Sequence, residues 1–488
     1  MRNLYYYMLI TCLFLLGNRN LLAQSTPELI WSKTFTGQYS DICRHLISTD
    51  DGGFAMIGES ESYGPGIIST LVIKCDALGN IQWQSTYGGQ QFDLPMAIAQ
   101  TSPDNGYILA TTSNSFAPPE GMNLRLIKIN SNGEEVWSCI VPESNGISIP
   151  VNECIVQTED GGFLVAGSAW KDPNCNQILL FKVDSNGELV WHKEFGSPGD
   201  DYGAIIQPTT DGNFILGGYT YGLGSGLCDG YMIKISPEGE EIWNSVVGGA
   251  SFDSYHYIRQ VSDGYIGVGS TQSYGASEQG FVTKVNEDGT LVWSNAFGGN
   301  NNEGFEGVIE TVNKEYVIVG TTNSYGNGMH DLIIYKISNL GEFVAMETYG
   351  GADEDFGTSI QEIPNEGYIV GGTFSETYLD FHAILLECDT LVTNTSNIEG
   401  LFGSILSFDG INPNPLIKES KIDFSLQKNS TIQLSVLNID GSIQEIIYEG
   451  NMESGEHSIN YNSSLKTGVY LLRIKTPFQS VMKKFIKI

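Results

Sequence analysis

Tryptophans stand at positions 31, 83, 137, 191, 243 and 293, spaced by 52, 54, 54, 52 and 50 residues, and the next place in register, 52 further on, is Ala345. A fixed period of this length decides architecture before any local propensity does. Each unit carries four strand-like phrases. In Leu71-Val72-Ile73-Lys74-Cys75-Asp76-Ala77-Leu78-Gly79, followed by Trp83, a polar residue and a glycine supply the turn chemistry of a hairpin, so the lysine strand and the tryptophan strand are antiparallel neighbours. A second turn recurs in Asp50-Asp51-Gly52-Gly53, Asp160-Gly161-Gly162 and their equivalents, each followed by an apolar run such as Phe163-Leu164-Val165-Ala166-Gly167.

Four short strands in about fifty residues make one blade of a β-propeller; a helical solenoid would need a 3.6-residue apolar period that is nowhere visible. The ends of the array complement each other. Trp31 has no lysine strand before it, and Ala383 to Asp389 has no tryptophan strand after it. The expected fold is therefore all-β: a seven-bladed β-propeller over 27–390, closed by the N-terminal strand Leu29 to Phe35, then a linker over 391–411 and a small C-terminal β-sandwich over 412–488.

Phrases such as Ser324-Tyr325-Gly326, Lys336-Ile337-Ser338-Asn339-Leu340-Gly341 and Thr348-Tyr349-Gly350-Gly351 resemble the repeats of secreted Bacteroidota propeller proteins. The hairpin pattern is also similar to quinoprotein blades, but the adjacent cysteine pair often found over their cofactor is missing. The tail resembles a type IX secretion sorting domain (type A): Asn412-Pro413-Asn414-Pro415 at its entry, Val436-Leu437-Asn438-Ile439-Asp440-Gly441 in the middle, Leu465 to Ile474 near the end, and the basic finish Lys483-Lys484-Phe485-Ile486-Lys487-Ile488. This resemblance implies export across the outer membrane, a secreted or cell-surface location, and the type IX machinery as partner.

Composition agrees with export. Residues 1–23 pair a basic start with an apolar stretch from Leu4 to Leu16 and reach Leu21-Leu22-Ala23, the layout of a signal peptide cleaved after Ala23. No later segment has the roughly 20 apolar residues of a membrane span. Residues 24–411 hold 13 Lys and Arg against 50 Asp and Glu, 13 − 50 = −37, whereas 412–488 hold 9 against 7, or +2. The acidic field excludes nucleic acid as a partner. After cleavage seven cysteines remain, without CxxC pairs, which reads as free thiols; Cys139, Cys154 and Cys175 are the candidates for any single disulfide.

Six acids, Asp41, Asp93, Asp201, Asp253, Glu303 and Asp355, fall ten positions after the tryptophan register, with Glu153 as the substitute in the longer third repeat. Converging at the channel mouth they would suit Ca²⁺; capping backbone N–H groups in their own turns is the commoner use of such residues. No other cofactor is expected. Lysines 74, 128, 182, 234, 284 and 336 recur in register and are expected to pair with repeat carboxylates between blades, with Glu387 in that place in the last repeat. Trp31, Trp83, Trp137, Trp191, Trp243 and Trp293 are read as scaffold. No HExxH spacing, nucleophile elbow or phosphate-cradling loop is present.

Binding residues are sought where the repeats differ, since insertions map to loops on one face. Those are Phe116 in repeat two and Trp170, Lys171 and Asp172 in repeat three, Trp170 being the tryptophan outside the register. Three functions follow as expectations: a non-enzymatic binding or adhesion scaffold for a glycan or extracellular protein, an extracellular carbohydrate-active enzyme, or a structural surface-layer component.

Overall fold

The computed structural model describes residues 29–386 and 406–488, except positions 36, 117–120, 145–146, 149–152, 172–174, 276, 364–366, 376–378, 413, 417, 427–428, 439–442 and 476–478. The signal peptide, Asp172, Glu387, Cys388 and most of the expected linker lie outside the described residues.

Seven blade units form by antiparallel pairing, six with four propeller strands and the third with five. Blade one comprises Asp41–Ser48, Phe54–Ser60, Ser69–Cys75 and Ile81–Tyr87. Blades two to six follow in chain order at 93–140, 147–195, 201–247, 253–297 and 303–349. Blade three has an interrupted inner edge, where Ile147–Ser148 and Ile155–Gln157 both pair with Phe163–Lys171. The innermost strands touch in one cycle, from Asp41–Ser48 through each successive blade to Phe356–Ile363 and back. The units are radial, not a linear pile.

Closure follows the complementary ends. Leu29–Phe35 runs antiparallel to Leu379–Leu386, with Trp31 opposite Leu385 and Phe35 opposite Phe381, and so supplies the outer strand of blade seven. His382 fastens it. Its ring nitrogens lie 2.7 Å from Ser32 Oγ and 2.9 Å from Thr34 Oγ1, and the ring stacks on Phe374 with centroids 3.8 Å apart.

The registered tryptophans act as latches between blades. Trp83, on the outer strand of blade one, covers Gly133 in the hairpin of blade two, and its Nε1 donates to the Ser131 carbonyl at 2.9 Å. Gly133 has φ of +79°, and a Cβ there would sit 2.7 Å from the indole, so both turn and packing demand glycine. Trp31, Trp137, Trp191, Trp243 and Trp293 likewise pack on Gly79, Gly187, Gly239, Gly289 and Gly341; Trp243 and Trp293 repeat the hydrogen bond, to the Glu287 and Asn339 carbonyls, whereas Trp31 Nε1 has no partner among the described residues. Ala345 belongs to blade six, whose neighbour has no such hairpin because its last two strands come from opposite ends of the chain. With nothing to cover, the tryptophan has no function there.

The C-terminal domain consists of two sheets. Leu406–Asn412, Glu419–Leu426 and Gly455–Asn462 form one; Ser430–Leu437, Ile443–Met452, Gly468–Lys475 and Gln479–Lys487 form the other. Phe408, Ile422, Phe424, Leu434, Leu472, Ile474 and Phe485 share one core between them. The domain does not hang free: Gln479–Lys487 pairs antiparallel with Phe343–Tyr349 of blade six, Ala345 opposite Lys483 and Tyr349 opposite Gln479, making one eight-stranded sheet. Tyr335, Met346, Leu437, Leu471 and Met482 bury a joint apolar surface, while Lys475 Nζ reaches the Gly326 carbonyl at 2.8 Å.

Candidate functional site on the aromatic face

Antiparallel order places the connections between strands two and three, and the turns between blades, on one face; the two hairpins of every blade lie on the other. Exposed aromatic residues are partitioned accordingly. Tyr39, Tyr63, Phe116, Trp170, Tyr221, Phe252 and Tyr274 all lie on the first face, whereas the exposed apolar residues at the hairpin end, such as Leu78, Val136, Val190, Ile242, Val312 and Leu340, are aliphatic. Among the described residues no exposed aromatic of the propeller lies at the hairpin end.

Part of this face is continuous. Trp170, 61% exposed, is opposite Asn176, whose side-chain amide donates to the Tyr202 hydroxyl at 2.7 Å. Tyr202 stacks on Tyr219 with centroids 5.1 Å apart; Tyr221 meets both edge-on and touches Phe252 at 6.2 Å. Amphipathic rings lined up in this way offer broad contact area at little conformational cost. Lys171 pairs through its backbone with Cys175, and Asp172 lies outside the described residues.

A second feature stands at the joint of blades one and two. Phe116, 50% exposed, lies over Arg125 with the guanidinium carbon 4.1 Å from the ring centroid. Both line a cavity of about 460 Å³ with Thr86, Tyr87, Gly88, Glu135, Ser138 and Cys139. Phe116 and Trp170 occupy equivalent connections in neighbouring blades.

The six registered acids lie at the starts of the innermost strands, buried; five of them accept a backbone N–H in their own inter-blade turn, and Asp41 instead bonds the end of strand two of its own blade. Asp93 accepts from Gly89 N at 2.8 Å and from the Ser113 and Ser115 hydroxyls at 2.6 Å. Asp253, Glu303 and Asp355 accept from Gly249, Gly299 and Gly351 N, also four residues back, Asp201 from Ser197 N, and Asp41 from the Ser60 hydroxyl. Among the described residues no group of three or more His, Cys, Asp or Glu side chains is gathered as a metal site. Glu153 does something else. It projects to the propeller axis, where it meets His45 at 3.3 Å, the Tyr257 hydroxyl at 3.2 Å and the Gln361 amide, joining blades one, three, five and seven. Burial alone would push this carboxyl up, but the His45 contact and the Arg259 charge hold it below its usual value. The cluster is a buried brace across the channel.

The lysines correct an expectation. Lys74, Lys128, Lys182, Lys234, Lys284 and Lys336 pair with Asp51, Asp104, Asp160, Asp211, Asp263 and Glu315 in the strand-one to strand-two turn of the same blade, not between blades. Strand three ends beside that turn, so the partner is local. Contact with the next blade comes through aromatic rings: Lys234 stands 5.6 Å from the Tyr265 ring and Lys284 5.8 Å from that of Tyr316. Cys139, Cys154 and Cys175 are free thiols, so the candidate disulfide does not form.

Residues 410–488 match the family model described as a secretion system C-terminal sorting domain. The ring of blades and this domain together define an exported all-β protein; more particularly, it is a β-propeller with a type IX C-terminal sorting domain, which implies secretion and attachment at the cell surface. No helix among the described residues is long and apolar enough to cross a membrane. No curated protein matches the chain. Among solved structures, the WD40 domain of Neurospora crassa Pan2 is similar at 10% identity and a TM-score of 0.34, covering 62% of this chain and 91% of that one, a likeness too slight to carry an argument.

Proposed function

We propose that this protein is a non-enzymatic binding or adhesion scaffold, carried to the surface by its sorting domain and engaging an extracellular glycan or protein through the aromatic face of the propeller. The observation that supports this is the partition of exposed aromatics: a scaffold indifferent to ligands has no reason to confine them to one face. Trp170, Tyr221 and Phe116 are the contact residues, in three neighbouring blades. A protein of this acidity favours neutral or basic surfaces, or ligands with little charge.

Retention of residues 24–488 on immobilised polysaccharides and matrix proteins, with assay of released products, tests the reading. Binding without turnover that falls at least tenfold in Trp170→Ala and Tyr221→Ala supports it. Turnover lost on changing one carboxylate would replace it with the enzymatic alternative. For the tail, removal of residues 406–488 is expected to leave a folded propeller in the periplasm; unaltered export of that truncation would refute the sorting role in this chain.

A further inference from the structure

Arg125 breaks the repeat. It lies three residues before the registered lysine on strand three of blade two, where blades one, three, four, five and six carry Leu71, Leu179, Tyr231, Phe281 and Ile333. All five of those are buried and apolar, so the scaffold needs no charge at this place. Yet the arginine is only 6% exposed. Its Nη2 donates to Ser138 Oγ at 3.0 Å and lies 3.6 Å from Glu135 Oε2, but Nη1 has no hydrogen-bond partner among the described residues. Burying a guanidinium with an unused donor is costly, and the cost is relieved when an acceptor reaches it. Burial accordingly lowers the affinity of Arg125 for its proton.

We propose that the cleft between blades one and two binds a sugar-sized ring bearing one carboxylate, a hexuronate, with Arg125 receiving the carboxylate and Phe116 facing the ring. The inference rests on the aromatic face being the binding face, and it names the ligand class for one part of it. Guanidinium geometry suits a carboxylate better than a neutral hydroxyl. The cavity, about 460 Å³, falls within the usual range for small-molecule sites. Thr86, Ser138 and the half-exposed Glu135 supply partners for ring hydroxyls, and the open side of Phe116 offers an apolar surface for C–H groups. The Cys139 thiol, pushed up to about 11 by burial, stays protonated, so the lining binds and does not attack. The net charge of −37 over residues 24–411 opposes a long polyanion more than a single charge, which favours a single uronate or a chain end.

Calorimetric titration of residues 24–488 with galacturonate and glucuronate, and with galactose and glucose as neutral counterparts, decides the matter. The acids are expected to bind at least tenfold more tightly than the neutral sugars. Arg125→Leu, which installs the side chain that blades one and three already hold at this place, removes that preference without lowering the melting temperature; Phe116→Ala weakens binding of all four. Equal affinity for acid and neutral sugars, or an acid preference that survives Arg125→Leu, overturns the carboxylate assignment. If, at the same time, retention on glycans still depends on Trp170 and Tyr221, the binding-face reading stands without it; absence of any retention overturns both.

Discussion

Six joints of the ring are latched alike, and the joint between blades six and seven is not. At the six, an indole from one blade lies on a left-handed hairpin glycine of the next. At the seventh, Ala345 replaces the indole, the facing hairpin does not exist, and the outer edge of blade six is continued by the last strand of the sorting domain. The burial of the outer strands records the difference. Leu291–Phe297 of blade five is exposed or half-buried throughout, whereas Phe343–Tyr349 is buried at every position but the first. A repeat loses its mark where the chain's own ends make the mark useless, and the vacated edge becomes a docking strip.

The largest effect is expected at the best-buried latch. Trp31 is 8% exposed and sits on the closing strand, so Trp31→Ala is expected to destabilise the propeller by about 3–5 kcal/mol, read as denaturant midpoint. The half-buried Trp243 should cost clearly less in the same assay. Equal losses would show that ring closure is no weaker point than any other joint.

Ala345→Trp restores the repeat and attacks the docking strip. Lys483, opposite it, crosses to within 5.8 Å of the Phe408 ring in the second sheet of the sorting domain, on the side where an indole would stand. Release of that domain, seen as new protease sensitivity around residues 387–405 with little change in propeller melting, is the expected result. A still-docked domain would mean that the alanine is incidental.

Asp331 sharpens the same joint by its titration. Burial, followed by the neighbouring Asp355 charge, raises its carboxyl to about 6, against opposing contributions from Gly328 and Asn327 N–H groups and from Lys475 of the sorting domain. A folded-state value above the unfolded one means stability is lost as pH rises from about 4 through 6. Asp331→Asn should therefore stabilise the protein at pH 7.5 by up to about 3 kcal/mol and have almost no effect at pH 3.5, measured by parallel thermal melts. Gln177 and Gln279, the equivalents in blades three and five, already carry the neutral amide.

The smallest effect belongs to the local ion pairs. Hydrogen bonds from Lys182 and Thr158 hold the Asp160 carboxyl down at about 2, so its contribution is present above the unfolded value near 3.8 and disappears as pH falls through 2. The carboxylate is largely exposed, and Asp160→Asn should cost only about 0–1 kcal/mol at pH 7. A loss several times larger would mean that the lysines carry more of the blade than their local pairing suggests.

The ring was legible because tryptophan, hairpin glycine and the complementary chain ends repeat a single contact seven times less one. The acids were legible in position; Asp93, Asp201, Asp253, Glu303 and Asp355 accept N–H groups of their own turns, and Asp41 does not. Glu153 was legible as the substitute acid of the long third repeat, but its role was hidden, since its partners His45 and Gln361 lie 108 and 208 residues away. Distance along the chain likewise concealed the docking of the tail, although the loss of Trp at 345 was its visible trace. Arg125 could have been found: aligning positions three before each lysine shows one cation among apolar residues. The aromatic partition needed the fold, because residues scattered from 39 to 274 share a face only after strand direction is known.

The last strand of the chain also has a protective consequence. Backbone groups of Phe343–Tyr349 are satisfied by Gln479–Lys487, and an apolar seam is sealed beside them. Where the tail is removed by truncation, this otherwise buried strand becomes a bare template for cross-strand addition. The propeller without its sorting domain, residues 24–405, should then self-associate through blade six in sedimentation experiments, and Met346→Lys should keep it monomeric.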